Sequence, residues 1–498
     1  MPTKTYLFPE PHLEFAHGQC LPSPHDGLGL FGPYDLTRSS QPKNIVYGLI
    51  ATDTGIAAFR QWGEILNNAQ IHPEEASRRL WPPFPGFEAV TGAVWPVEPA
   101  WKQSLDATAL TDAAVIKDPY QRAAKLVSFY LDPIARARKR DENFGVFVCV
   151  VPDVVWQNCR PKSVVSLGTG RRLSSKERKL RKQGMGDLFD EYEVDDYQYS
   201  VDFRRQLKAK AMEYGIPIQI LRESTLKPDD GFEFGDRGLT PLSDRAWNLT
   251  TALYYKAGGK PWRLASAREG VCYLGIAFRL AEENKSTACC AAQMFLDSGD
   301  GIVFLGDYGP WYSQENKQFH LTGDAAHNLL SGILRTYQDL DGKPLKEIFL
   351  HSRSSISDEE FAGYQKACPP GVSLFGVRIR PETRGFRLFR TGRRPVLRGT
   401  FVQDSDRSGF LWANGFKLRL MTYDGWEVPV PLRIDIQHGN ADIVQVAKDI
   451  LSLTKLNYNT CKLGESQPVT VHFSDAVGEI LVNNPRTRKA QHSFKYYI

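Results

Sequence analysis

Residues 203–222 read FRRQLKAKAMEYGIPIQILR. The first half belongs to a helical pattern expected over about 201–214, in which Arg204 and Lys208 are four residues apart and therefore share one face. The strand IPIQIL follows and carries Gln219, eleven residues after Lys208. Further on, LSDRAWNLTTALYYKAGG (242–259) predicts another long helix, with Lys256 at its end and Gly258 as a suitable C-terminal glycine. Two cations, an amide and a further ammonium converging across one strand and two helices suit a terminal phosphate. Each charged hydrogen bond is worth about 1.5–3 kcal/mol.

Upstream of this stretch, from Asn44, apolar strands alternate with helices. NIVYGLIAT is a strand, GIAAFRQWGEILNN an amphipathic helix and FGVFVCVVP a buried strand, the order of a parallel, Rossmann-like α/β sheet. A nucleotide fingerprint is absent in substance. The formal G-x-G-x-x-G at Gly27, Gly29 and Gly32 is preceded by LPSPHD and followed by Pro33-Tyr34, so a turn-rich packing segment is expected there instead.

Downstream the pattern changes. VCYLGIAFRLAE, TACCAAQMFLD and GIVFLGDY read as three consecutive strands, the last two joined by the turn signal SGDG. A helix over about 324–337, the strand EIFLHSR and a helix opened by a Ser357/Glu360 capping box come next. Later, NADIVQVAKDILSLTKL predicts a helix, VTVHF a strand and SDAVGEIL a helix. Three strands followed by helix, strand and helix is the order of an RNase H-like domain.

The 498 residues, 42% apolar and 24% charged, give room for two to four domains and exclude a largely disordered or fibrous chain. Eight cysteines without a CxxC pair and ten scattered histidines offer no zinc-ligand spacing, which favours a reduced, cytoplasmic protein. The opening MPTKTYLFPEPHLEF lacks the apolar run of a signal peptide, and the apolar stretch 144–156 is too short to span a bilayer.

Net charge is only +5, from 62 basic and 57 acidic residues, but its distribution is uneven. Nine basic residues lie between Arg160 and Lys182 against the single Glu177, and six acids follow between Asp187 and Asp196. That block is either a solvated insertion or an interaction arm. Eight arginines lie between Arg378 and Arg398, among them Arg380, Arg384 and Arg387, with Phe386 and Phe389 interleaved. They read as a surface that tracks a phosphate backbone, or as solubilising charges on a strand face.

The sequence R-x-x-x-K, then IPxQ, then YYKAGGKPW resembles the MID domain of Argonaute proteins, and the second half resembles PIWI. Together with HGQC…DGLGLFGPYD, TKLNYNT…VHFSDAVGEI and the terminal FKYYI, the resemblance points to the short prokaryotic Argonautes, especially those of TIR-APAZ (SPARTA) systems. It implies an N-terminal packing segment over 1–43, a MID domain over 44–260 with a charged insertion at about 160–200, and a PIWI domain over 261–498. No N or PAZ domain is expected. By the same resemblance Arg204, Lys208, Gln219, Lys256 and Ile498 hold the 5′ phosphate of a guide RNA. The carboxylate of Ile498, with Gln219, is expected to help hold a structural Mg²⁺ there, and Phe494, Tyr496 and Tyr497 are packing anchors.

Active PIWI domains use carboxylates to hold two metal ions. Here Ala277 occupies the first acidic position, and Arg353 or Ser354 the second, which leaves Asp475 alone at the last. The resemblance therefore implies a guide-directed sensor of single-stranded DNA that does not cut. It is expected to pair with an APAZ-containing subunit, most like TIR-APAZ, as a heterodimer that oligomerises on target binding and whose partner consumes NAD⁺. Sirtuin-like or nuclease effectors are alternative partners. An RNase H-like nuclease using Asp300, Asp307 or Asp475 is the alternative from another class.

Overall fold

The computed structural model describes residues 3–498 apart from 141, 186–191, 229–238, 281–287, 296–300, 316, 340–341, 384, 424, 426 and 483–490. Val146–Val151 shows most simply how the sequence sets the first layer. All six residues are buried. Val146, Val148 and Val150 enter a core with Phe59, Trp62 and Trp247, while Phe147, Cys149 and Val151 enter another with Tyr130, Ile134 and Leu207. A strand whose side chains alternate between two covered faces has to be apolar throughout, which is the signature of a parallel sheet.

Tyr47–Ala51 and Ile218–Arg222 flank this strand, and Trp101–Ser104 completes a four-stranded, all-parallel sheet. The helix Asp53–Asn67 covers one face and is started by Thr52, whose Oγ1 accepts the Gly55 N–H at 3.1 Å. The helix Pro119–Ala137 covers the other and is started by Asp118, which accepts the Tyr120 N–H at 2.8 Å. The Rossmann-like expectation therefore holds.

The second layer is a nine-stranded sheet. From one edge to the other its strands are Lys4–Leu7, Thr400–Gln403, Ser408–Leu411, Leu432–His438, Ser373–Pro381, Glu347–Ser352, Val271–Leu280, Ala288–Phe295 and Gly301–Gly309. Only Glu347–Ser352 runs parallel to its neighbours; the other pairings are antiparallel. Three antiparallel strands, the helix Gly323–Asp339, the strand Glu347–Ser352 and the helix Asp358–Ala367 follow in the order expected of an RNase H-like fold. The two layers share one apolar cluster that runs from Val148 of the small sheet to Ile434 of the large one.

Three expectations change. VTVHF is not a strand: Val469–Val482 is one helix. The alternation V-T-V-H-F mimics period two, but Val469, Phe473, Val477 and Ile480 are buried at helical spacing. This helix lies directly on the strand Val271–Leu280, so close that a Cβ on Gly275 would sit 2.0 Å from the Thr470 carbonyl oxygen. The GLGLFG segment is not merely turn-rich, because Pro24–Phe31 is a helix whose N-cap Ser23 accepts the Asp26 N–H at 3.3 Å. Gly27 lets it press onto the ring of Phe15. The N-terminal segment also does more than pack, since Lys4–Leu7 forms an edge strand of the large sheet. The SGDG turn lies largely outside the described residues.

Candidate functional site: a cationic pocket where helix, strand and chain end meet

Asp202 opens the helix Phe203–Ala211 by accepting the Arg205 N–H at 3.0 Å. The helix tightens through Met212–Tyr214, and Gly215, in the left-handed region at φ 68°, turns the chain into the strand Ile218–Arg222. Gly258, at φ 103°, plays the same part after the helix Leu242–Lys256. Arg204 and Lys208, Gln219 and Lys256 are thereby brought to one end of the small sheet.

Lys208 and Lys256 are 3% and 1% exposed. Lys208 Nζ donates to the backbone oxygens of Ile498 at 2.6 Å and Tyr497 at 3.0 Å, and Lys256 Nζ donates to Gln219 Oε1. Residues 494–498 reach this point as an anchored tail. Phe494 packs edge-on against Phe295 and Phe473 with ring centroids 5.7 and 5.0 Å away. Tyr496 Oη donates to the Gly215 carbonyl at 2.9 Å, and Tyr497 and Ile498 are both buried. Four of the five expected phosphate ligands thus form two adjoining donor–acceptor pairs. The fifth, Arg204, is exposed and lines a cavity of about 170 Å³ together with Lys208, Trp156, Arg160, Ile480 and Tyr497.

Burial disfavours the charged form of both ammonium groups, and nearby like charges add to it. Lys208 is pushed well below the usual lysine range by burial, then by Arg204 and Lys256. Lys256 is lowered to about 7 by burial and then by Arg204. Among the described residues, no carboxylate side chain forms an ion pair with Arg204, Lys208 or Lys256. The neighbouring pair Arg205–Glu479 instead ties this helix to Val469–Val482. Gln219 Oε1 is neutral, and the oxygens of Tyr497 and Ile498 set at most one negative charge against two buried ammonium groups, whose burial costs several kcal/mol each. A di-anionic group in the cavity would offset that cost. Covalent chemistry is not served: Cys159 also lines the cavity, but burial pushes its thiol up to about 12.

The sequence reading missed Trp156. Arg160 stacks over its ring at 4.5 Å and Arg222 lies at 5.5 Å, which gives the pocket an aromatic wall held by two cations. The four-residue spacing of Trp156 and Arg160 was the available signal, although Arg160 lies just beyond the helix Asp153–Asn158.

The arginine stretch lies elsewhere and is not uniform. Arg378 and Arg380 sit on Ser373–Pro381, alternating with the core residues Val377 and Ile379 and registered against Asp435 and Arg433. Arg378 Nε donates to the Arg353 carbonyl at 3.1 Å. Arg387 turns back onto the carbonyls of Glu382 and Phe386, and Phe386 stacks on Phe410 at 4.3 Å, so both support their own loop. Arg398 is internal: it pairs with Glu10 and donates to Ala413 and Thr454. Arg384 lies outside the described residues.

Ala277 is 4% exposed on Val271–Leu280. The parallel register pairs Ser352 with Ile276, so Arg353 and Ala277 are the next residues along adjacent strands. The exposed Arg353 guanidinium donates to Gln467 Oε1 at 2.7 Å, and Ser354 is half-buried. Asp475 lies in the helix Val469–Val482 that packs on this strand. Its side chain, that of Asp307 and the whole of Asp300 lie outside the described residues. Among the described residues, no three His, Cys, Asp or Glu side chains are grouped to hold a metal, and no helix is long and apolar enough to cross a membrane.

A Rossmann-like parallel sheet joined through one core to an RNase H-like sheet is the MID–PIWI fold of Argonaute proteins, and this chain has that fold. Neither a family model nor a curated protein matches the sequence. Among solved structures it is similar to Clostridium butyricum Argonaute bound to a guide DNA and a 19-mer target DNA, with a TM-score of 0.63 and 14% identity, over 98% of this chain and 54% of that one. It is also similar to Aquifex aeolicus Argonaute, with a TM-score of 0.55 and 15% identity over 97% and 54% of the two chains. An A. aeolicus Argonaute with externally bound siRNA gives 0.54 and 13% over 100% and 56%. The chain spans about half the length of these structures.

Proposed function

We propose that this chain binds a nucleic-acid guide by its 5′ phosphate in the pocket of Arg204, Lys208, Gln219 and Lys256, and uses the guide to recognise a complementary strand. The observation that carries the reading is the pair of buried ammonium groups, neither ion-paired to a carboxylate side chain among the described residues; Lys208 lines the cavity, whose other charges are Arg160, Arg204 and Arg205 against Asp202 and Glu479. A terminal phosphate supplies the missing negative charge and accepts hydrogen bonds from several donors. In the finer form of the proposal, the guide is RNA and the target is single-stranded DNA of plasmid or phage origin. Arg378 and Arg380 contact the nucleic-acid backbone. Pairing is relayed to an APAZ-containing subunit, most like TIR-APAZ, whose NADase activity carries out the defence.

The pocket does not fit the expected Mg²⁺ well. The oxygens that would bind it, those of Ile498 and Gln219, accept hydrogen bonds from Lys208 and Lys256. Two ammonium groups already fill the cation positions, and the proposal routes no step through a metal. Cleavage by this chain is not part of the reading either, since Ala277 and Arg353 offer no carboxylate where a two-metal site would need them.

The test uses the full chain with labelled RNA of one sequence, either 5′-phosphorylated or 5′-hydroxylated. The expected result is tighter binding of the phosphorylated strand, with the difference lost in the Lys208→Ala, Lys256→Ala double variant. Equal affinity of the wild type for both strands would refute the reading. Guide-directed cutting of a complementary target in Mg²⁺ would refute the non-cleaving part alone.

A further inference from the structure

A second concavity, of about 330 Å³, opens beside the first, and its chemistry is not explained by a 5′-end pocket. Along the chain the two are contiguous, because Arg160 lines the first while Pro161 and Lys162 line the second. The groove is built from three separated stretches: Lys117 and Tyr120 around the start of the helix Pro119–Ala137, Lys162 after Asp153–Asn158, and Arg172 and Arg178 of the charged insertion. Among the described residues, no acidic one lines it.

The insertion is folded where these residues lie. Ser174 and Glu177 form a capping box that opens the helix Ser175–Lys182. Arg181, on that helix, donates to Tyr197 Oη at 2.7 Å, and Tyr197 Oη donates to the buried Asp118 at 2.7 Å. Tyr120, Leu173, Tyr197 and Val201 form a small core beneath. The basic side chains are therefore carried on a braced wall. Asp118 is committed to this brace and Glu177 to Arg171, and the partly buried Asp196 acts on Lys210. Lys117, Lys162 and Arg172 have no carboxylate partner among the described residues.

We propose that this groove binds the phosphodiester backbone of a single-stranded nucleic acid without regard to sequence. Four cations from three stretches suit several phosphates in a row rather than one small anion, which two or three converging donors would satisfy. The inference does not depend on the 5′-phosphate reading, because a backbone contact is indifferent to the chemistry of the strand's end.

The experiment measures binding of a 5′-hydroxyl and a 5′-phosphoryl 20-mer RNA to the full chain by fluorescence anisotropy across a salt series. Lys162→Gln with Arg172→Gln removes two exposed charges, and Lys208→Ala serves as the control for the first pocket. The double variant is expected to weaken both RNAs alike. Its log-affinity against log-salt slope is expected to be shallower by about 1.4, at about 0.7 per phosphate contact on a single strand. The ratio between the two RNAs should stay at the wild-type value. Lys208→Ala should do the reverse, changing the ratio and leaving most of the slope. An unchanged slope in the double variant, with its melting temperature intact, would overturn the proposal. So would full displacement of the 5′-hydroxyl RNA by inorganic phosphate at constant ionic strength, which would assign a small-anion site. A Lys117→Gln variant gives an independent check, with an expected slope change of about 0.7.

Discussion

Replacing Lys256 by methionine should stabilise the ligand-free protein while removing its preference for a phosphorylated strand. Lys256 is 1% exposed, and burial followed by the field of Arg204 lowers its pKa from 10.5 to about 7. A lysine whose folded pKa lies below its unfolded value is protonated more fully in the unfolded chain between those two values, so stability rises with pH across that window. At 1.36 kcal/mol per pH unit the cost is about 5 kcal/mol well below pH 7 and about 4 kcal/mol at pH 7, and it vanishes above pH 10.5. Methionine has similar length and no charge, but it leaves Gln219 Oε1 without its donor, a loss of about 1–3 kcal/mol. The variant should therefore be more stable by about 1–3 kcal/mol at pH 7. Its advantage should shrink by about 1.4 kcal/mol per pH unit and change sign before pH 10.5. Urea denaturation from pH 6 to pH 10 measures the first effect, and anisotropy with 5′-phosphoryl and 5′-hydroxyl RNA the second. A gain in stability together with a loss of ligand preference marks a charge kept for binding. A variant less stable at pH 7, with a deficit independent of pH and an intact phosphate preference, would refute the reasoning.

The pH dependence of binding carries the opposite sign. As Lys256 loses its proton through pH 7, the preference for a 5′ phosphate should weaken by up to about tenfold per unit between pH 7 and pH 8.5 in an affinity titration. Gly275→Ala drives a methyl group into the Thr470 carbonyl and should lift the helix Val469–Val482 from its strand, seen as a markedly lower melting temperature or insoluble protein. Phe494→Ala should cost about 3–5 kcal/mol in denaturant unfolding and also reduce the phosphate preference, because this ring anchors the tail that brings Ile498 to Lys208.

Tyr47–Ala51 and Val146–Val151 were legible because they are apolar on both faces, and Asp53–Asn67 because it is amphipathic, whereas the strand Trp101–Ser104, polar along one side, and the helix Pro119–Ala137 were not read from the sequence. The convergence of these four residues was legible because Arg204 and Lys208 share a helix face, Gln219 stands at the start of the strand that follows and Lys256 closes the next long helix. The failures have physical causes too. VTVHF taken alone alternates like a strand, and only its continuation into one helical run, with Val469, Phe473, Val477 and Ile480 buried, makes it a helix. Arg398 reads as one more surface arginine, yet it is buried by Glu10, nearly four hundred residues away in sequence. The same holds for the brace of Arg181, Tyr197 and Asp118, which turns a charge-rich stretch into a folded wall through contacts with no local signature.

The central claim is that a strand's 5′ phosphate occupies the pocket of Arg204, Lys208 and Lys256. An experimental structure of the full chain with a 5′-phosphorylated RNA tests it most directly. The account predicts phosphate oxygens within hydrogen-bond distance, about 2.7–3.2 Å, of Lys208 Nζ and Lys256 Nζ, with Arg204 turned onto them. A bound RNA whose 5′ end lies elsewhere, with the two lysines still on Ile498 and Gln219, would contradict it.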